Sequence, residues 1–171
     1  MKAFKKIAVI GKYPSKEEST DINSQLLQLV EHLSKKPVEL FVEEKTQQQL
    51  NAQTIQAIAL KDIGACVDLA IIIGGDGTMI GVARNLVDSN TPLVGVNQGR
   101  FGFLADLNTS SMLTNIDSIL NGEYIEDKRM LINTKIIRDD HVVYESLSLN
   151  DIVIKSGVRL IELEVMIDNA F

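Results

Sequence analysis

The chain has 171 residues, of which 45% are hydrophobic and 23% are charged, a composition typical of a folded globular protein and not of a disordered one. Its formal net charge of −6 argues against nucleic-acid binding through bulk charge. A single cysteine, Cys66, excludes an internal disulfide framework and a cysteine-rich zinc site, and two distant histidines, His32 and His141, leave little for a histidine-based metal centre.

The N-terminal region does not predict a targeting signal. The apolar run that follows the basic start covers only residues 7–10, which is too short for the apolar core of a secretory signal. A membrane span needs about 20 apolar residues, and the run at 69–73 is also far too short. We therefore expect a cytoplasmic protein with no membrane partner.

Residues 1–122 alternate between short apolar runs and stretches with helical periodicity, which predicts an α/β domain with an open, Rossmann-like parallel sheet. The run at 68–73 is apolar on both faces, as expected for a central parallel strand. Residues 45–60 are consistent with a short helix or an irregular connection. The other predicted elements are strands at 6–10, 38–42 and 93–96, and helices over about 22–33, from the turn after residue 73 to about 87, and over 111–120.

Residues 123–171 change to a period of two, which predicts the opening strands of an antiparallel all-β domain. A hairpin is expected between 132–137 and 142–144, with its turn at Asp139-Asp140. Two further strands are expected at 149–154 and 159–168. These strands would form a sheet of about four strands with an exposed edge. We therefore expect the β domain to be incomplete and the chain to be truncated.

A glycine-rich turn, Gly74-Gly75-Asp76-Gly77-Thr78, follows the predicted central strand and precedes a helix. Ligands of open α/β sheets bind beyond the carboxyl ends of strands, where glycines allow positive φ and bring backbone N–H groups close to phosphate. A carboxylate would repel phosphate there, so Asp76 is expected to contact a metal or a sugar hydroxyl, or to accept a proton. The alternative is a tight turn in which Asp76 only caps the helix.

Three other nucleotide and hydrolase patterns do not fit. The chain contains no G-x-x-x-x-G-K-[ST] sequence, which excludes a P-loop, and no G-x-S-x-G elbow. A G-x-G-x-x-G pattern starting at Gly75 is interrupted, because its sixth position is Ile80.

Three motifs together resemble the NAD kinase family along the whole chain. The turn that begins at Gly74 is similar to the family's GGDGT motif. The segment from Val94 to Leu104 resembles its second signature, a strand followed by N-x-G-x-x-G-F-L. Asn150-Asp151 resembles its third, an Asn-Glu or Asn-Asp pair. GGDG also occurs in 6-phosphofructokinases and lipid kinases, but the three motifs in this order are highly specific.

The resemblance implies transfer of the γ-phosphoryl group of ATP, or of polyphosphate, to the 2′-hydroxyl of the adenosine ribose of NAD. It implies a divalent cation such as Mg²⁺, bound mainly through the ATP phosphates, and a homo-oligomer at full length. The residue matching Asp76 is the implied proton acceptor. The implied binding residues, for nucleotide or dinucleotide, are Gly74, Gly75, Gly77, Thr78, Asn97, Phe103 on the adenine side, Asn150, Asp151, and Arg159 near the ribose phosphate.

The family's further D-G-x-x-x-S-T-P-T-G-S-T-A-Y motif is expected beyond the last residue of this chain, so the isolated 171 residues are expected to be inactive. Two alternatives to the kinase remain open at this point. One is a non-catalytic nucleotide-binding fragment of such an enzyme. The other is a GGDG-type kinase that acts on a sugar or a lipid, which the Asn97 and Asn150 segments disfavour.

Overall fold

A computed structural model of the chain describes residues 4–12, 19–98, 102–105 and 107–168. Within these ranges the first part forms a parallel six-stranded sheet flanked by helices, which confirms the predicted Rossmann-like α/β fold. Its strands are β1 Lys6–Gly11, β2 Glu39–Glu43, β3 Gln56–Ile58, β4 Leu69–Ile73, β5 Leu93–Asn97 and β6 Leu107–Asn108. Its α-helices are α1 Ser19–Ser34, α2 Glu44–Leu50, α3 Ile63–Cys66, α4 Asp76–Asn85 and α5 Met112–Leu120.

The strands lie in the order β3-β2-β1-β4-β5-β6. The chain therefore moves outward in one direction from β1 and in the other direction from β4. This order creates a topological switch point between the carboxyl ends of β1 and β4, which is where open α/β sheets bind ligands. The two strands pair in register from Ile7 opposite Leu69 to Gly11 opposite Ile73.

The central strand β4 is apolar because both of its faces are covered. Leu69, Ile71 and Ile73 belong to the core cluster that includes buried residues of α1 and α5. Ala70 and Ile72 belong to the opposite cluster, together with buried residues of α3 and α4. The predicted apolar face of α1 is also buried, at Ile22, Leu26, Leu29, Val30 and Leu33.

The sequence did not predict three short elements of this domain. β3 and β6 have three and two residues, which is too short for any periodicity to be recognised. The one-turn helix α3 was missed for the same reason. Part of the ambiguous stretch 45–60 is the seven-residue helix α2.

The chain divides into two compact units, Met1–Arg129 and Met130–Phe171. In the second unit β7 Ile132–Arg138 pairs antiparallel with β8 His141–Ser148, as predicted. Asp139 and Asp140 form the turn with φ values of 47° and 61°, and positive φ at both central residues suits the right-handed twist of a hairpin. The domain boundary expected between residues 122 and 123 remains a prediction. Residues 123–131 form neither a helix nor a strand.

The two further strands predicted for the second unit are not formed. Residues 149–168 have no assigned strand, and Ile167 makes only an isolated bridge. Alternation of apolar residues is a property of the sequence, whereas a strand also needs a neighbour that pairs with its backbone. Within the described part of this unit, the two-stranded sheet is the hairpin alone.

Candidate functional site

The glycine turn joins the end of β4 to the start of α4. Gly75 is the residue that precedes the helix, and its carbonyl accepts bonds from the N–H groups of Thr78 at 3.0 Å and Met79 at 3.1 Å. Gly74 donates its N–H to the carbonyl of Val96 in β5 at 3.0 Å. The turn is therefore anchored to the sheet on one side and to the first turn of the helix on the other.

The glycines of this turn serve close approach and not positive φ, which corrects the sequence-based expectation. None of the three is among the residues with positive φ. A Cβ on Gly74 would lie 2.7 Å from Oγ1 and 2.8 Å from Cβ of Thr78, so this position has no room for a side chain. Gly75 and Gly77 face open space, with nothing within 4 Å of an added Cβ, which leaves their backbone accessible to a ligand.

Asp76 is the first residue of α4, but its side chain does not cap that helix. Its carboxylate instead accepts two bonds from another segment: Oδ2 from the N–H of Phe103 at 2.8 Å and Oδ1 from the N–H of Leu104 at 3.2 Å. The helix-capping alternative for Asp76 is therefore wrong. The carboxylate lies where the glycine turn and the second signature meet.

Residues 102–105 form a short loop held against the turn and against β5. Ala105 is 3% exposed, and a Cβ on Gly95 of β5 would lie 2.9 Å from the Cα of Ala105. Phe103, in contrast, is 87% exposed. Its ring is therefore available to a ligand although its backbone is held. Residues 99–101 of the second signature lie outside the described residues.

A cleft of about 360 Å³ lies near the switch point, between the carboxyl end of β1 and helix α4. Lys12 follows β1 here, and its N–H donates to the carbonyl of Ile73 at 2.8 Å. Lys12 was not among the site residues predicted from the sequence, although its position after a central strand is the signal that could have identified it. The cleft is lined by Ile10, Gly11, Lys12, Leu60, Gly77, Thr78, Gly81, Val82 and Asn85.

The structure brings the turn, Asp76 and Phe103 together in the first unit, with Asn97 buried at the end of the neighbouring strand β5. Asn150, Asp151 and Arg159 belong to the second unit, where all three are exposed. The carbonyl of Arg159 accepts a hydrogen bond from the Ser156 hydroxyl.

Neither a metal cluster nor a membrane helix is found in the part of the chain that the structure describes. Within it, no three His, Cys, Asp or Glu side chains are grouped so that they could hold a metal ion. Among the same residues, no helix combines the length and the apolar character that crossing a bilayer would require.

Most of the first unit matches a known protein family. The sequence model of the ATP-NAD kinase N-terminal domain matches residues 7–124. The chain belongs to this family. The matched segment contains both the GGDGT turn and the loop that Asp76 holds, so the two motifs that meet in the structure are parts of one family domain.

Curated NAD kinases are similar to the chain over nearly its whole length. The NAD kinase of Nitrosomonas eutropha is 39% identical over 170 residues, which cover 98% of this chain and 56% of that protein. The NAD kinase of Laribacter hongkongensis is 38% identical, with 98% and 57% covered. The chain thus spans little more than half the length of the curated relatives it matches.

A solved structure, yeast NADH kinase complexed with NADH, has a similar fold. The TM-score is 0.67, and the match covers 87% of this chain and 48% of the yeast chain. Because the sequence identity is 13%, this likeness supports the fold alone.

Proposed function

We propose that the protein is an NAD kinase that transfers the γ-phosphoryl group of ATP to the 2′-hydroxyl of the adenosine ribose of NAD. The observation that carries this proposal is the position of Asp76, a carboxylate at the start of α4 beside open glycines and an exposed aromatic ring. The family match and the NAD kinases among the relatives support a dinucleotide acceptor over a sugar or a lipid.

In this mechanism Asp76 orients the ribose hydroxyl and then accepts its proton. The hydroxyl is a weak acid and a carboxylate is a weak base, so the proton leaves late. Phosphoryl transfer passes through a loose transition state, in which the bond to ADP breaks as the new O–P bond forms and the acidity of the hydroxyl rises. Asp76 uses one lone pair of each oxygen for the loop N–H groups, which leaves acceptor capacity for the substrate hydroxyl.

The phosphate groups are proposed to lie at the N-terminus of α4. Thr78 and Met79 donate their N–H groups to the carbonyl of Gly75, so the N–H groups proposed to meet phosphate are those of Asp76 and Gly77 before them. The helix dipole favours negative charge at this end. Gly75 and Gly77 allow phosphate oxygens to approach the backbone, and Thr78 adds a hydroxyl. Lys12 in the adjoining cleft contributes a positive charge at the same edge of the sheet.

A divalent cation, Mg²⁺ or another, is proposed to arrive with these phosphates. Mg²⁺ is usually held by phosphate oxygens, waters and one or two carboxylates, and it neutralises charge on the transferred group. The Asp76 carboxylate and the Thr78 hydroxyl are oxygen ligands of the kind this cation accepts, and both lie in the first turn of α4.

The remaining site residues are proposed to bind the dinucleotide. The ring of Phe103 stacks on adenine, and Asn97 contributes polar groups at the end of β5. Asn150, Asp151 and Arg159 are proposed to supply contacts to ribose and phosphate from the second unit. A cytoplasmic location and a homo-oligomeric assembly at full length also belong to this proposal.

The test is formation of NADP by the full protein from NAD, ATP and Mg²⁺, monitored with an NADP-specific dehydrogenase. Parallel reactions replace ATP by polyphosphate, NAD by NADH, or Mg²⁺ by a chelator. Metal-dependent formation of NADP is expected. Absence of product with every donor and acceptor would contradict the proposal.

A further inference from the structure

The carboxylate of Asp76 accepts hydrogen bonds from the backbone of Phe103 and Leu104, in addition to the catalytic role proposed for it above. We propose that Asp76 positions the backbone of the 102–105 loop, and that Gly102 is the positioning residue that makes room for its carboxylate. The pair would thereby present Phe103 to the dinucleotide. This last part rests on the function proposed above, whereas the anchoring of the loop does not.

The hydrogen bonds are of the kind that hold a loop firmly. Both donors are backbone N–H groups, on the consecutive residues Phe103 and Leu104, and both acceptors are oxygens of one carboxylate. Hydrogen bonds to an ionised group are about twice as strong as neutral ones. Two such bonds fix both the position and the orientation of the peptide between these residues.

Gly102 is required by the same geometry. A Cβ added there would come within 2.6 Å of Cγ of Asp76 and closer still to its Oδ1. The obstructing atoms belong to the short side chain that makes the two bonds, so the carboxylate cannot move aside and keep them. A methyl group at Gly102 therefore competes directly with the anchor.

The far end of the loop is held independently. Ala105 is buried against β5, so close to Gly95 that a side chain at position 95 would clash with it. The loop is thus fixed to α4 by Asp76 at one end and to the sheet by Ala105 at the other. Phe103 is itself held at the first of these points by its N–H, while its ring is 87% exposed.

An exposed ring on a fixed backbone is suited to binding a flat base. A loop that is already ordered loses less conformational freedom when a ligand binds, which raises affinity without any new contact. Loss of the anchor is therefore expected to weaken dinucleotide binding, in addition to any effect of Asp76 on turnover. The substitution Gly102→Ala tests the anchor while the carboxylate itself stays in the protein.

The first measurement is amide hydrogen exchange at Phe103 and Leu104, followed by NMR in the full protein. In the wild type both N–H groups are expected to exchange about tenfold or more below their intrinsic rates. Gly102→Ala and Asp76→Ala should both remove this protection. Gly81→Ala, which adds the same methyl group on α4 where nothing lies within 4 Å, should leave it unchanged.

The second measurement is NAD affinity by calorimetry in a double-mutant cycle. Gly102→Ala and Phe103→Leu should each weaken binding about tenfold, and the double variant should bind no worse than Phe103→Leu alone. Phe103→Leu should keep both N–H groups protected, which distinguishes loss of the ring from loss of the anchor.

Unchanged protection in Gly102→Ala and Asp76→Ala would overturn the anchoring of the loop. Additive losses in the cycle would overturn the claim that Gly102 acts through Phe103. Failure of the wild-type protein to bind NAD would contradict the function proposed above, while the exchange rates would still decide whether Asp76 holds the loop.

Discussion

At the scale of single residues, the two adjacent glycines Gly74 and Gly75 have different roles. Gly74 is buried against Thr78, whereas Gly75 faces open space with φ −92° and ψ −176°, a backbone conformation that any residue adopts. The first glycine is therefore required by packing within the protein. The second is proposed to be required by the ligand.

This difference predicts opposite outcomes for two alanine substitutions. Gly74→Ala should destabilise the protein by about 1–3 kcal/mol, the range for overpacking a filled site. Gly75→Ala should change stability by less than about 0.5 kcal/mol and yet weaken ATP binding, because its methyl group occupies the approach to the backbone. Thermal unfolding and calorimetry measure both effects. Equal destabilisation by the two variants would contradict the assignment.

Substitutions at Asn150 and Asp151 test whether the second unit contributes to NAD binding. Asn150→Ala is expected to weaken NAD binding about two- to tenfold, and Asp151→Ala about ten- to a hundredfold, because a hydrogen bond to a charged group is worth more. Glu162→Ala removes another exposed carboxylate of the same unit and serves as the control. Unchanged NAD affinity in both variants would show that this pair has only a local structural role.

The sequence predicted that Asp76 lies in a ligand-binding turn, but it could not reveal what the side chain of Asp76 contacts. Its partners Phe103 and Leu104 are 27 and 28 residues further along the chain, and such a contact leaves no local pattern. A glycine is required at position 102 because of that contact, so this requirement could not be predicted from the sequence either. Phe103 was selected by resemblance alone, and its exposure is a property of the folded loop.

At the scale of elements, α1 and α5 are joined by a small charged network. Asp117 of α5 accepts bonds at Oδ1 from Nε2 of His32 and Nζ of Lys36, each at 2.8 Å. Partial burial acts to raise the pKa of the Asp117 carboxyl, but the hydrogen bonds from Lys36 and His32 outweigh it and hold this pKa below its ordinary value of 3.8. The network therefore stabilises the folded state only while Asp117 is ionised.

The contribution of Asp117 should be complete well above pH 3.8 and should disappear as the pH falls through the lower pKa of the folded protein. Asp117→Asn is expected to lose roughly 0.5–1 kcal/mol at pH 7, because solvent weakens the bonds of a side chain that is 35% exposed. The difference from wild type should shrink on acidification below pH 3.8. Urea unfolding at several pH values measures this difference. Asp88→Asn, at an exposed aspartate beyond the end of α4, is the control.

The elements that could be predicted from the sequence are those in which packing against neighbouring elements requires apolar residues at regular positions. Strand β4 is apolar on both faces because helices cover both, and α1 has an apolar stripe because one of its faces meets the sheet. The stretch 159–168 shows where this inference stops. It alternates like a strand, but alternation does not supply the hydrogen-bonded neighbour that a strand requires.

At the scale of the whole molecule, apolar side chains are distributed unequally between the two units. The first unit buries its apolar residues in two clusters on either side of the sheet. In the second unit many large apolar side chains are exposed, and those of Val158 and Leu160 are fully exposed. Exposed apolar patches with unpaired backbone promote association.

We therefore expect the 171-residue chain to associate in solution. Light scattering at increasing concentration should give an average mass above that of a monomer. The double substitution Val158→Lys with Leu160→Lys should reduce the association, because it replaces two fully exposed apolar side chains by charged ones. A wild-type chain that stays monomeric at high concentration would contradict this prediction.

The measurement that tests the central claim most directly is the turnover of Asp76→Asn in the full protein at saturating NAD, ATP and Mg²⁺. The substitution keeps the size of the side chain but removes its capacity to accept the proton, so kcat for NADP formation should fall by about 10²–10⁴-fold. Asp88→Asn, an exposed aspartate beyond the end of α4, should keep wild-type kcat. A near-normal kcat in Asp76→Asn would contradict the account, because the proton of the ribose hydroxyl would then have to go elsewhere.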